Sequence, residues 1–221
     1  ARDGAAAHDD ETSVAQGLRL LAALLSDESA LADDAAHRKK TRRRKRIGAG
    51  NVDEQPSLPL VERVLDTGGA RLCADVLLYA RGSTERLPMA AAALAVLSSC
   101  SRPRALASYS YSRALIDGDA LVASTEFLLA RDEVGGAAAC EFDTHALAWW
   151  TTLIEKLDVS RVELLDSRAV DATIAVLRAS QRRAEVAVAD EREQRCAHSA
   201  LKLLRELLTD APAATLAAVS S

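Results

Sequence analysis

Three stretches of this 221-residue chain superimpose without a gap: Arg63-Val-Leu-Asp-Thr-Gly-Gly-Ala70, Arg113-Ala-Leu-Ile-Asp-Gly-Asp-Ala120 and Val162-Glu-Leu-Leu-Asp-Ser-Arg-Ala169. The step is 50 residues from Arg63 to Arg113 and 49 from Arg113 to Val162. Downstream of each comes a second matching stretch. Met89, Ala93, Val96, Leu97 and Cys100 share their spacing with Phe142, Ala146, Trp149, Trp150 and Leu153, and with Cys196, Ala200, Leu203, Leu204 and Leu207. That spacing follows one face of a helix. Units of this size cannot bury their own apolar face and must stack on their neighbours. The expected fold class is all-α, a stack of helical units with no strand.

Composition agrees: 49% of the residues are hydrophobic but only 3% aromatic, so the core must be built mainly of Ala, Leu and Val, which suits close helix packing. The formal charge of −4 hides an asymmetry. Residues 38 to 46 carry eight of the 28 basic side chains, Arg38, Lys39, Lys40, Arg42, Arg43, Arg44, Lys45 and Arg46, leaving 20 against 32 acidic elsewhere. No apolar run reaches the roughly 20 residues that a membrane span requires. The opening Ala1-Arg-Asp-Gly has neither the charged start nor the apolar core of a signal peptide. The expected compartment is cytoplasmic or nuclear.

Apolar period and turn residues divide the chain. Residues 1–12 read as a flexible N-terminus. Residues 13–26 form a lone helix capped by Ser13, with Val14, Leu18, Leu21 and Leu25 on its buried stripe. Residues 27–56 lack apolar periodicity and read as a flexible basic insertion. Three repeats follow over 57–101, 102–157 and 158–210, then a tail over 211–221. Within them helices are expected at 58–66, 69–81, 87–100, 103–116, 119–131, 141–157, 159–166, 169–180 and 186–209. The four cysteines read as small apolar packing residues, since Cys100 and Cys196 stand where sister repeats carry Leu, Met or Phe. Cys140 with His145, and Cys196 with His198, lack the paired spacings of a zinc site, so no metal is expected.

The pattern resembles the armadillo-repeat family, in which a short first helix and a Gly-containing turn lead to a second helix and a longer third helix. The second helix is matched by Gly69-Ala-Arg-Leu-Cys-Ala-Asp-Val-Leu-Leu78, by Gly118-Asp-Ala-Leu-Val-Ala-Ser-Thr-Glu-Phe-Leu-Leu129 and by Arg168-Ala-Val-Asp-Ala-Thr-Ile-Ala-Val-Leu177. The third is matched by Ala93-Leu-Ala-Val-Leu97, Ala146-Leu-Ala-Trp-Trp150 and Ala200-Leu-Lys-Leu-Leu204, and Gly17-Leu-Arg-Leu-Leu21 resembles the third helix of a partial preceding repeat. The resemblance implies an armadillo-like α-solenoid of about three three-helix repeats. It also implies a non-catalytic scaffold or adaptor that holds another protein against its stacked third helices.

The family's third helices offer Asn side chains that clamp an extended peptide, whereas this chain has Leu20, Val96, Trp149 and Leu203 at that place. An apolar side chain supplies neither the donor nor the acceptor of an amide. The expected cargo is therefore a helix or folded surface, with Trp149, His145, Val96 and Leu203 as candidate contacts and ordinary core as the other reading of these apolar positions. The run from Arg38 to Arg46 reads as an importin-recognised nuclear signal, an anion or nucleic-acid contact, or a solvated loop. If it contacts RNA, the alternative function is a structural α-solenoid subunit of a ribonucleoprotein or multiprotein assembly. No phosphate loop, His-Glu-x-x-His or Gly-x-Ser-x-Gly motif occurs, and the histidines at 8, 37, 145 and 198 are scattered, so neither catalysis nor a cofactor is expected.

Overall fold

A computed structural model describes residues 11–28, 30–31, 59–101, 119–130, 137–156, 164–166, 168–186 and 191–209. The described residues are all-helical, with no strand among them. The basic run, the helix expected at 103–116 and the tail lie outside the described residues. We number the helices α1 (11–28), α2 (Pro59–Asp66), α3 (Gly69–Ala80), α4 (Leu87–Ser101), α5 (Ala120–Ala130), α6 (Ala137–Lys156), α7 (Ala169–Val186) and α8 (Glu191–Leu208).

α1 starts earlier and ends later than its apolar pattern predicts. Its buried stripe is Ala15, Leu18, Ala22 and Leu25, with Leu21 half-buried and Val14 exposed. Both ends are tied down by acids. Glu11 accepts hydrogen bonds from Arg86 Nε at 2.9 Å and from the Tyr79 hydroxyl at 2.8 Å. The Glu28 carboxylate accepts the backbone N–H groups of Leu60 and Val61, both at 3.0 Å. Those amides open α2 behind Pro59 and have no intrahelical acceptor, so Glu28 caps a helix more than thirty residues away.

The repeated turn has a recurring backbone. The residue before each of α3, α5 and α7 is left-handed: Gly68 at φ 81°, Asp119 at 58° and Arg168 at 65°. Each carbonyl accepts the amide of the fourth helical residue, Leu72, Ala123 and Ala172 respectively, and so makes the first i→i+4 bond of its helix. Gly69 follows because a Cβ there would lie 2.6 Å from the Val64 carbonyl oxygen.

From these turns the helices pack in two rows. α3 contacts α5 and α5 contacts α7; α4 contacts α6 and α6 contacts α8; α3 packs on α4 and α7 on α8. α5 and α6 meet through Phe127 and Phe142, whose ring centroids are 4.4 Å apart, and through Trp150 Nε1, which donates to Ser124 Oγ at 3.1 Å. Of the fifteen residues matched in α4, α6 and α8, all are buried except Leu204, which is half-buried. α4 and α6 have neighbours on several sides, and among the described residues α8 packs on α6 and α7 and leaves Leu201 58% exposed.

The helix limits depart from expectation where tertiary contacts intervene. α6 begins at Ala137 rather than 141, and α7 continues past 180 to Val186. The added turns of α7 carry Arg183, whose ion pairs reach α6 and α8.

Candidate functional site

Val96, Trp149 and Leu203 are interior, at 1%, 0% and 0% exposure. They are corrected from surface contacts to core, because a side chain enclosed by its own chain presents no area to a partner. Trp149 and Trp150, about 100° apart around α6, are both buried because helices pack on more than one side of α6. Leu20 alone of the four apolar substitutes is exposed, at 68%. Among the described residues Trp149 Nε1 has no hydrogen-bond partner, whereas Trp150 Nε1 has Ser124.

His145 lies elsewhere, half-buried in the wall of a cleft of about 280 Å³ between the first halves of α6 and α8. Cys140, Glu141 and Thr144 complete the α6 side, and Arg192 and Arg195 form the α8 side. Helical period explains the set. Glu141 and Thr144 belong to the solvent-facing stripe of α6, which continues through Ala148 to Glu155. On α8, Arg192 and Arg195 are followed by Lys202, which bonds Glu155 at 2.8 Å across the two helices. Glu141 lies 3.8 Å from Arg19 of α1, and Arg195 lies 3.0 Å from Glu191. These pairs are solvent-exposed and therefore weak and exchangeable. The volume falls just below the 300–1,000 Å³ range of small-molecule pockets.

Beside the cleft sits a part-buried ionic junction. Arg183 of α7 pairs with Asp143 of α6 at 3.0 Å and with Glu193 of α8 at 2.8 Å, and Ser180 donates to Glu193 Oε2 at 3.0 Å. Burial works against the charge on Arg183, but the hydrogen bond to Glu193 and the nearby Asp143 carboxylate outweigh it and raise its pKa. The junction fixes α6, α7 and α8 relative to one another and thereby holds the cleft walls. Sequence reading missed it because its members lie on three helices, with 40 residues between Asp143 and Arg183. The one local signal is Asp143, an acid beside Phe142 on the apolar side of α6. Arg192 and Arg195 were missed because an arginine on an amphipathic helix reads as ordinary solvated surface.

All four cysteines are free and buried. Burial pushes the thiols of Cys73, Cys100 and Cys196 up to about 12, and raises that of Cys140. They are protonated at neutral pH, which suits apolar packing. Among the described residues no helix is long and apolar enough to cross a membrane. No protein-family model, curated protein or solved structure matches this chain.

Proposed function

We propose that the chain is an armadillo-like α-solenoid and a non-catalytic scaffold, binding another protein through the exposed side of its third helices. The supporting observation is the cleft between α6 and α8, where His145, Thr144 and Glu141 face Arg192 and Arg195. The row α4–α6–α8 and the recurring left-handed turn support the fold assignment. The contacts assigned to the scaffold are these polar side chains with Lys202 and Glu155, in place of Val96, Trp149 and Leu203. A helix or folded surface is the cargo, because the sole asparagine of the chain, Asn51, lies outside the third helices and no amide ladder exists to grip a peptide backbone. Buried, protonated thiols support the non-catalytic reading, since the thiolate is the nucleophile. The compartment proposed is cytoplasmic or nuclear.

The test is affinity purification of the native chain beside Arg192→Glu/Arg195→Glu, each with and without nuclease. The expected result is a nuclease-resistant partner lost from the variant while the melting temperature is unchanged. Partners indifferent to the variant and released by nuclease would replace the scaffold with the RNA-linked subunit, bound through Arg38 to Arg46.

A further inference from the structure

α8 carries two apolar stripes. One, Cys196, Ala200, Leu203 and Leu207, is buried. The other, Ala197, Leu201, Leu204 and Leu208, follows a single helix face, and none of its members is buried: Leu201 is 58% exposed and the rest are half-buried. The repeat register says what kind of element belongs on it. Leu201 stands where α4 has Leu94 and α6 has Leu147. Both of those are 0% exposed, on helices against which α6 and α8 respectively pack as the next member of the row. The second stripe of α8 is therefore the face on which the row receives a further helix. A solenoid whose outer face is apolar needs a cap.

The residues that follow α8 have the character of one. The chain is 27% charged, yet residues 211–221 carry no charge at all. Segments that remain in solvent are enriched in charge and low in hydrophobicity, the reverse of Ala213-Ala-Thr-Leu-Ala-Ala-Val219. Pro212 bars α8 from continuing but suits the first turn of a new helix, and Asp210 is of the type that caps one. Pro212, Leu216 and Val219 follow at steps of 4 and 3 residues, and Leu208, Leu204 and Leu201, taken backwards along α8, have the same two steps. Antiparallel helices advance equally per residue, so the two sets come level pair by pair when Thr209 and Asp210 form the connection, a length that joins helical hairpins. We propose that residues 211–219 return antiparallel along α8 as a capping helix, with Leu216 against Leu204 and Val219 against Leu201. The helical period sets this stripe on a different side of α8 from Arg192 and Arg195. The cap therefore goes beyond the scaffold reading and does not depend on the cleft.

The test is methyl NMR of the full chain with labelled leucine and valine. Nuclear Overhauser contacts are expected between Leu216 and Leu204 and between Val219 and Leu201, and in a mixture of labelled and unlabelled chains they are expected within one copy only. As a second readout, Leu216→Asp/Val219→Asp should speed amide hydrogen exchange over residues 197–208 by about tenfold or more, with circular dichroism showing that the helices are retained. Absence of both contacts from the native chain would overturn the proposal. Contacts to Leu201 that arise between copies would give the face to a second chain in place of the tail. Exchange unchanged in the variant would show that the tail covers nothing, and would equally overturn the cap.

Discussion

Arg183 places its guanidinium 3.0 Å from Asp143, a carboxylate with 0% side-chain exposure, and ties a residue of α7 to one of α6 across 40 positions of sequence. Removing Arg183 takes the guanidinium away from the buried Asp143 carboxylate and from Glu193 at once. Arg183→Met should therefore destabilise the fold by about 3–5 kcal/mol in chemical denaturation. Converting Arg183, Asp143 and Glu193 together to apolar residues of similar size should cost much less, since the penalty comes from orphaned charge. A small loss in the single variant would show that the junction contributes little.

The two tryptophans of α6 provide a matched pair. Both are fully buried, yet among the described residues Trp150 Nε1 reaches Ser124 at 3.1 Å while Trp149 Nε1 has no partner. Trp150→Phe should cost about 1 kcal/mol more than Trp149→Phe, the net worth of a hydrogen bond. Thermal or denaturant unfolding of the two variants measures this difference, and equal losses would contradict it.

Asp119 and Arg168 occupy the left-handed conformation that Gly68 supplies in the first turn. A side chain there costs roughly 1–2 kcal/mol. Arg168→Gly should raise stability by about 1 kcal/mol despite losing its exposed pair with Asp171. Gly69→Ala should lower it, because the new methyl would meet the Val64 backbone. Melting temperatures of the two variants should move in opposite directions.

The buried thiols make the fold sensitive to alkali. The pKa of Cys73, Cys100 and Cys196 is about 12 in the folded chain against an ordinary 9.0. Between these values the unfolded chain has released protons that the folded chain retains. The stabilisation is thus complete below pH 9 and is lost as pH rises towards 12. Each such thiol contributes a slope of about 1.4 kcal/mol per pH unit. Replacing Cys73, Cys100 and Cys196 by Ala should flatten the alkaline limb of a stability-against-pH curve, and an unchanged limb would refute the burial argument.

What could be read from the residues alone is what one helix or one turn encodes within itself. The matched stretches beginning at Met89, Phe142 and Cys196 announce their buried faces because the helical period places those residues together whatever lies opposite. Gly68 and Gly69 announce a turn for an equally local reason. Burial of Val96, Trp149 and Leu203 was not legible as opposed to surface contact, because it depends on how many helices surround α4, α6 and α8. The cleft required α6 and α8 to be brought side by side, joining His145 to Arg192 and Arg195. The junction required α7 to extend past Ser180 and carry Arg183 to Asp143 and Glu193. Local order follows from covalent neighbours and period; the exposure of a side chain and its charged partners follow from packing between segments that the sequence keeps forty or fifty residues apart.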